Sequence, residues 1–353
     1  MGEKTGAIGN VISNTALVEM AMGYSRSRIL CAAARLGVAD SLANGEREIG
    51  DIAKDCRADP DSLYRLLRAL SSIGITTETK PGSFVLTEFG QPLRKDAPNS
   101  AWPAVVFWAD LLFESWSYLT DCVRTGQKAS AVMEGQGVAS IWQKDPSAVG
   151  IFRAVMGTAP AEAYQPIVDC WDFTGRQVVA DLGGGGGSLI AAVLKTYPNL
   201  TGMLVDRPDA VDAAARRFES EGLSDRCKMI GADLMEAVPA GADVYMLKHV
   251  LHGCVDDMAV KMLNNCRAVT PSEGRLLIIE FVLPDVVSSA DSEIELHLMS
   301  DLNMMAVTGG KERSAVEWAG LLKRSGFELQ RIITVPGENN FGQAISIIET
   351  API

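Results

Sequence analysis

The chain has 353 residues, of which 47% are hydrophobic, and it carries a formal net charge of −12 at pH 7. This length favours two domains, and the apolar content is sufficient for sizeable cores. The acidic charge argues against a nucleic-acid surface, because phosphate binding needs clustered Lys and Arg side chains.

Two further features concern where the protein works. The sequence shows neither an apolar run of about 18 residues nor a charged-then-apolar leader, so we expect no transmembrane helix and no secretory signal. The seven cysteines are scattered and include no C-x-x-C pair. Such a set is typical of free thiols in a reducing compartment, and we therefore expect a cytoplasmic protein without membrane contacts.

The N-terminal part of the chain has a helical pattern. Apolar residues recur at helical spacing over residues 10–44, and Gly37 interrupts them. Met20, Met22 and Tyr24 add apolar surface that a small helix pair buries poorly by itself. A partner subunit is one way to cover this surface.

Residues 46–90 have the pattern of a winged helix-turn-helix. Asp59 and Pro60 form a helix start, with an N-cap carboxylate followed by proline at the first helical position. A short hairpin is predicted after that helix. The recognition-type helix offers only Arg65 and Arg68, so we expect a structural module and not a DNA-binding one.

Residues 100–165 are predicted to be helical and are rich in aromatic side chains. An ordinary core is the usual place for any single one of them. As a cluster just before the second domain, they are also suited to wall an apolar pocket for an aromatic substrate. Trp116, Phe152, Met156 and Asn303 are the candidate substrate-binding residues.

The centre of the chain carries five consecutive glycines between an apolar strand and an apolar helix. Such a turn brings backbone N–H groups and a helix N-terminus close to a ligand. The dinucleotide pattern G-x-G-x-x-G lacks its third glycine in each register, which argues against a nicotinamide oxidoreductase. The pattern that fits is D-x-G-x-G-x-G, and it resembles the first motif of class I S-adenosylmethionine methyltransferases. We expect Asp181, Gly183 and Gly185 to bind that cofactor; a mobile linker is the alternative.

From residue 175 onward, strands and helices alternate, which predicts a mostly parallel sheet with helices on both faces. Asp206 ends the second strand, where a carboxylate can accept hydrogen bonds from both ribose hydroxyls; a helix cap is the alternative. Asp233 and Leu234 follow the third strand and suit an adenine, while Lys248 follows the fourth. The predicted strands cover residues 178–181, 202–205, 228–230, 244–247, 275–280, 327–335 and 343–349, with an antiparallel edge pair at the end.

Two of the three histidines follow the fourth strand. A histidine suits proton abstraction from a phenol at neutral pH, and His249 and His252 would share a face if this segment were helical. A metal pair is set aside because neither C-x-x-C nor H-E-x-x-H accompanies them. Glu280 closes an apolar strand and needs a partner. With Glu312, it would fix the tautomer of His252 and stabilise its imidazolium; the alternative for Glu312 is a surface helix cap.

Five motifs in this order and spacing resemble the plant-type and bacterial small-molecule O-methyltransferases, the caffeate and hydroxyindole O-methyltransferase-like family. They are residues 181–185 (DLGGG), 205–208 (VDRP), 231–234 (GADL), 248–252 (KHVLH) and 309–313 (GGKER). The resemblance implies an α/β fold with a C-terminal Rossmann-like class I methyltransferase domain, a doubly wound and mostly parallel sheet. It also implies an N-terminal, mainly helical winged-helix dimerisation domain. The expected limits are residues 1–100 for this domain, 101–170 for a helical connector and 171–353 for the catalytic domain.

The resemblance also implies the chemistry. The protein would move a methyl group from S-adenosylmethionine, leaving S-adenosylhomocysteine, to a hydroxyl of an aromatic secondary metabolite, without a metal and as a homodimer. Its cofactor contacts would be Gly183, Asp206, Asp233, Leu234 and Lys248. His252 would be the general base, and Glu280 and Glu312 would orient it.

One departure concerns the catalytic segment. The family continues L-H-D-W, whereas this chain has Gly253 and Cys254 after His252. In the family the indole flanks the catalytic pocket and the acid lies beside the cofactor, so substrate shape, cofactor affinity or activity would differ here. The alternative function is a relative that binds S-adenosylmethionine but performs hydroxylation or decarboxylation, or has reduced activity. Retention of His252, Glu280 and Glu312 favours an active methyltransferase.

Overall fold

The structure, a computed structural model, describes residues 14–138, 141–157, 160–287, 292–337 and 344–353, with only the backbone described at 141–142, 157 and 292–293. Contacts divide the chain into two units, Met1–Glu114 with Ile141–Val155 and Ser115–Ser140 with Met156–Ile353. The predicted connector therefore contributes residues to both units. The domain limits expected from the sequence stay predictions.

Some helices begin at a capping side chain or end at a glycine. Asp59 accepts a hydrogen bond from the Ser62 amide (2.9 Å) and caps the helix that starts at Pro60, as predicted. Gly37 ends the first long helix with a left-handed φ of 73°. The α-helices are Tyr24–Leu36 (α1), Val38–Ser41 (α2), Ile49–Cys56 (α3), Pro60–Ser72 (α4), Trp102–Val106 (α5), Leu112–Ser117 (α6), Leu119–Thr125 (α7), Ala129–Gly135 (α8), Ile141–Lys144 (α9), Ala148–Gly157 (α10), Gln165–Asp169 (α11), Ser188–Thr196 (α12), Pro208–Ser220 (α13), Asp256–Val269 (α14), Ser292–Val307 (α15) and Ala315–Arg324 (α16).

The first unit contains the predicted winged helix. Its hairpin pairs Thr76–Lys80 (β2) with Ser83–Leu86 (β3), and a short strand that the sequence did not suggest, Arg47–Glu48 (β1), pairs with β3. Residues 14–21 are helical, and apolar side chains of residues 17–24 are exposed, as Met20 (78%) illustrates. Residues 10–13 of the predicted N-terminal helix lie outside the described residues.

The strands of the second unit are Val178–Leu182 (β4), Thr201–Asp206 (β5), Cys227–Gly231 (β6), Val244–Lys248 (β7), Arg275–Glu280 (β8), Val282–Leu283 (β9), Arg313–Ser314 (β10), Phe327–Thr334 (β11) and Ser346–Pro352 (β12). Seven of them form a sheet of order β11-β12-β8-β7-β4-β5-β6. Neighbouring strands from β6 to β8 run parallel, and β12 pairs antiparallel with both β8 and β11. The antiparallel pair is confirmed, with β11 at the edge; the predicted start of the last strand, Gln343, lies outside the described residues.

Helices cover both faces of this sheet, as the alternating pattern predicts. Val179 faces one core, which contains side chains of α12 and α13, and Ala180 faces the other, which contains side chains of α14 and α16. Burial on both faces explains why the central strands are continuous apolar runs. Among the described residues, no helix has the length and apolar character needed to cross a bilayer.

Candidate active site

The glycine turn joins β4 to α12 at the carboxyl end of the sheet. Gly183 and Gly185 have left-handed φ angles of 70° and 54°, which residues with a Cβ rarely adopt. Apart from its neighbours in the chain, no atom of the described residues lies within 4 Å of the point where a Cβ on Gly185 would stand, so this backbone is open to approach. The Gly183 amide donates to the Val205 carbonyl (2.7 Å), which fixes the turn on the neighbouring strand.

Two carboxylates flank this turn. Asp181 is buried (1% exposed), and its Oδ2 has no hydrogen-bond partner among the described residues. Burial raises the pKa of Asp181 to about 7, against the opposing charge of Lys248. Asp206 lies where the sequence placed it, at the end of β5, and its Oδ2 accepts from the Gly185 amide (2.8 Å). An unpaired buried oxygen beside an accessible backbone is an arrangement that suits a polar ligand.

Asp233 and Leu234 both follow β6, as predicted, but they have different surroundings. Leu234 is buried, and its Cδ1 lies 3.8 Å from the point where a Cβ on Gly183 would stand. Asp233 is exposed and accepts a hydrogen bond from the Met235 amide (2.8 Å), a local turn that needs no ligand. Contact of either residue with an adenine stays a prediction.

Lys248 ends β7 close to this group. Its Nζ lies 5.2 Å from the centre of the Tyr164 ring, and burial lowers the pKa of Lys248 to about 8, although Glu280 and Asp181 oppose the shift. Tyr164 was not singled out by sequence reasoning. It lies at the end of an aromatic-rich stretch, and only the fold brings its ring to a lysine 84 residues later.

A buried carboxylate organises the segment after β7. Glu280 is fully buried at the end of β8, and its Oε1 accepts from the amides of Val250 (3.0 Å), Leu251 (3.1 Å) and His252 (3.3 Å). These three N–H groups precede and open a short 3₁₀ turn over Leu251–Gly253. Glu280 therefore has the partners that its burial requires, and it fixes the turn that carries His252.

The two imidazoles share this carboxylate. The Nδ1 of His249 lies 3.2 Å from Glu280 Oε2, and the Nδ1 of His252 lies 3.5 Å from the same oxygen. Their rings stack with centroids 5.1 Å apart. The sequence suggested that a shared helix face would bring them together. This does not occur, because His249 has a left-handed φ of 51° and is not part of a helix.

Glu312 completes the surroundings of His252. Its Oε1 lies 2.9 Å from His252 Nδ1 and accepts from the Ser300 hydroxyl (2.8 Å). The Glu312 side chain is wholly buried, which excludes the surface helix cap. Ser300 was missed because nothing in the sequence links α15 to the segment after it.

The electrostatics separate the two histidines. Burial lowers the pKa of His249 to about 4, and the charge of Lys248 adds to this effect. Burial also acts to lower the pKa of His252, but the charges of Glu280 and Glu312 outweigh it and raise that pKa above its ordinary value. The same imidazoles hold the pKa of Glu280 below its usual range, against burial. His252 is therefore the better proton acceptor.

His249, His252 and Glu280 also form a group, among the described residues, whose possible metal-ligand atoms lie within 4.8 Å of one another. Imidazole and carboxylate would suit a zinc ion. Each of these residues is already engaged by hydrogen bonds within the cluster. The expectation that the protein needs no metal stays a prediction.

The candidate substrate residues fall into separate groups. Trp116 Nε1 donates to Asn303 Oδ1 (3.0 Å), and Asn303 stands one helical turn after Ser300 on α15, so these three residues lie on one side of that helix. Met156 is exposed (44%). Phe152 belongs to the first unit, where its ring centre lies 5.9 Å from that of Phe107.

The residues that depart from L-H-D-W differ in environment. In the part of the chain that the structure describes, only the neighbouring residues lie within 4 Å of the point where a Cβ on Gly253 would stand. Cys254 is buried in the core beside β7, and its Sγ lies 3.8 Å from the Val250 carbonyl oxygen. The change therefore leaves open space after His252 and places a small apolar side chain in the core.

Comparison with known proteins bears on this geometry. Residues 116–328 match the O-methyltransferase domain, and residues 18–96 match the O-methyltransferase dimerisation domain. The chain belongs to the O-methyltransferase family. The resemblance inferred from the five motifs is confirmed, and the protein is an S-adenosylmethionine-dependent O-methyltransferase with the α/β fold expected of one.

Relatives align over nearly the whole chain. The phenazine O-methyltransferase PhzM of Lysobacter antibioticus is 33% identical over 345 residues, which cover 98% of each chain. The structure of the mitomycin 7-O-methyltransferase MmcR is similar with a TM-score of 0.86 and 30% identity, covering 98% of this chain and 100% of that one. The O-methyltransferase NcsB1 from neocarzinostatin biosynthesis, solved with S-adenosylmethionine and 2-hydroxy-5-methyl naphthoic acid, has a TM-score of 0.78 and 31% identity, covering 93% and 96%. Some other relatives are N-methyltransferases.

Proposed function

We propose that this enzyme methylates a hydroxyl group of an aromatic small molecule and that His252 is its general base. The observation that carries the proposal is the Nδ1 of His252, which faces Glu312 at 2.9 Å and Glu280 at 3.5 Å. With Nδ1 turned to carboxylates, Nε2 is the nitrogen left to take the proton of an acceptor hydroxyl. The two carboxylates stabilise the imidazolium that results.

The residues around the glycine turn fit S-adenosylmethionine. Asp181 offers an unpaired oxygen, Gly185 an accessible backbone, and Asp206 a carboxylate at the next strand end. We propose that these residues, with Gly183, Leu234, Asp233 and Lys248, hold the cofactor. When bound, S-adenosylmethionine supplies an electrophilic sulfonium methyl group to the acceptor oxygen. The chain's own contribution is to hold the two reactants together and to remove the proton.

An aromatic acceptor is supported by two observations. The relatives PhzM, MmcR and NcsB1 are named for, or solved with, aromatic natural products. In this chain, Trp116 and Asn303 bond to each other beside Ser300, the hydroxyl that touches Glu312. We propose that these two residues and Met156, which belongs to the same unit, contact the acceptor. A substrate contact of Phe152 stays a prediction.

We also propose a homodimer formed through the N-terminal domain. The dimerisation domain matches residues 18–96, and its first residues carry exposed Met20, Met22 and Tyr24. Apolar surface of this kind is usually covered by a partner. Light scattering on the purified protein tests this assignment, and a monomer at micromolar concentration would contradict it.

The test of the reaction combines product mass with a base variant. Labelled S-adenosylmethionine is incubated with a panel of phenols that includes 2-hydroxy-5-methyl naphthoic acid, and an acceptor is expected to gain one CH₂ unit per turnover. His252→Ala should lower kcat by roughly 10²–10⁴-fold while S-adenosylhomocysteine still binds in calorimetry. His297→Asn controls for the loss of a buried imidazole. His297 bonds to the Ala344 carbonyl and stacks on Phe281, which in turn contacts His249, so this variant should lose far less turnover than His252→Ala.

Three outcomes would overturn the proposal. Near-normal turnover of His252→Ala would remove His252 from the mechanism. A product without the CH₂ increment would favour hydroxylation or decarboxylation. Calorimetry without heat for either S-adenosylmethionine or S-adenosylhomocysteine would remove the cofactor assignment.

A further inference from the structure

A buried arginine follows Glu312 directly. The Arg313 side chain is 1% exposed. Its Nη1 donates to the Leu251 carbonyl (3.1 Å) and its Nη2 to the Cys254 carbonyl (3.0 Å), the residues on either side of His252 and Gly253. Asp256 pairs with the same guanidinium at 2.8 Å and balances its charge.

The turn that carries His252 is thus held through its backbone from two directions. Glu280 accepts from its N–H groups, and Arg313 donates to its carbonyls. Arginine suits this second task, because its planar fork presents several donors in a fixed geometry. Neither anchor uses the side chains at positions 253 and 254.

Arg313 also links this turn to the other two parts of the cluster. Its strand, β10, pairs in parallel with β9, where Arg313 lies opposite Val282, two residues after Glu280. Glu312 precedes it in the chain. Movement of the Arg313 side chain would therefore change the position of His252 relative to both carboxylates.

We propose that Arg313 is a positioning residue for methyl transfer, which fixes His252 against Glu280 and Glu312 through the carbonyls of Leu251 and Cys254. The inference rests on the proposed role of His252 as the base. It also explains how the turn keeps its geometry with glycine and cysteine at 253 and 254, since the main chain makes both contacts.

The test compares Arg313→Lys and Arg313→Met with the full-length enzyme. Arg226→Met is the matched control, because Arg226 also donates to main-chain carbonyls, those of Leu194 and Pro198 (both 2.8 Å), away from the cluster. Arg313→Met should lower kcat about 10²-fold with little change in S-adenosylhomocysteine affinity, because a displacement of about 1 Å is enough for such a loss. A lysine at this position keeps the charge and can donate to one of the two carbonyls, but it cannot reach both at once. Arg313→Lys should therefore lose kcat, but less than Arg313→Met does.

A second measurement needs no acceptor. Nitrogen-15 NMR of the imidazoles should show His252 with its proton on Nδ1 and a raised pKa in the wild type and in Arg226→Met. Both properties should change in Arg313→Lys. This variant conserves the charge, so it keeps the test available if Arg313→Met fails to fold. Wild-type kcat and an unchanged His252 titration in Arg313→Lys would overturn the inference, as would an equal loss of kcat in Arg226→Met. Full turnover of His252→Ala would instead remove the base assignment, which is a separate failure.

Discussion

Gly310 offers a steric test of how firmly the His252 turn must be placed. Its φ is not left-handed, so alanine meets no conformational penalty there. A Cβ at this position would, however, stand 2.0 Å from the His252 carbonyl oxygen and 2.6 Å from the Gly253 carbonyl carbon, whereas real Cβ contacts essentially never fall below 3.0 Å. The two backbones must therefore separate by about 1 Å, and a shift of that size costs about 10²-fold in rate, or about 3 kcal/mol of barrier.

The assay is steady-state methyl transfer by Gly310→Ala, followed with labelled S-adenosylmethionine and the acceptor found in the screen. Gly253→Ala is the control, because the added methyl group lies on the same turn but meets no described atom within 4 Å other than those of the adjacent residues. We expect kcat to fall about 10²-fold in the first variant and to stay near wild type in the second. Wild-type kcat in Gly310→Ala would refute the reasoning, since the turn could then move without loss.

Three further variants test separate parts of the site. Glu312→Gln removes a charge that raises the pKa of His252, so the pKa of His252 should fall in this variant. Because the base is inactive while protonated, the rising limb of the kcat–pH profile should move to lower pH, and a limb that does not move would contradict this. Asp206→Asn removes a charged acceptor worth about 1.5–3 kcal/mol, so S-adenosylhomocysteine should bind roughly 10–100-fold more weakly in calorimetry, and equal affinity would exclude a role in binding. The pKa of Glu280 is lowered from 4.5 to about 2, so its contribution to stability is present above pH 4.5 and is lost as the pH falls from there towards about 2. Glu280→Gln should unfold at lower urea concentration at pH 7 and show a shallower decline in acid, and a decline as steep as that of the wild type would argue against this coupling.

Much of the candidate active site was predictable from strand ends. Asp206 and Lys248 each close a parallel strand, and Asp181 lies one residue before the end of another. Such strands end at one edge of the sheet, so the proximity of these residues follows from topology. Glu280 was expected to be paired because a carboxylate at the end of an apolar strand is costly to bury alone. Its place beside His252 was predicted, but the three amides from which it accepts were not, because they are backbone groups of another segment.

Other contacts depend on packing between segments that carry no shared signal. Tyr164 and Ser300 were missed, and Arg313 was noted only as part of a motif, because each contacts a residue far away in the chain. His249 and His252 were expected to share a face only if their segment were helical. Their rings stack instead because His249 has a left-handed backbone conformation. Such conformations are set by the surrounding structure and not by local preference.

The sequence by itself determined the order of strands and helices, the glycine turn and the residue types available for proton transfer. These follow from hydrophobic periodicity and from backbone geometry that only glycine adopts easily, which are local properties of the chain. The tertiary structure alone decided which nitrogen of His252 faces the carboxylates and that Glu312 is buried. It also decided that Arg313 donates to carbonyls of the His252 turn. These outcomes depend on distances between segments that lie up to 62 residues apart, and no local preference encodes them.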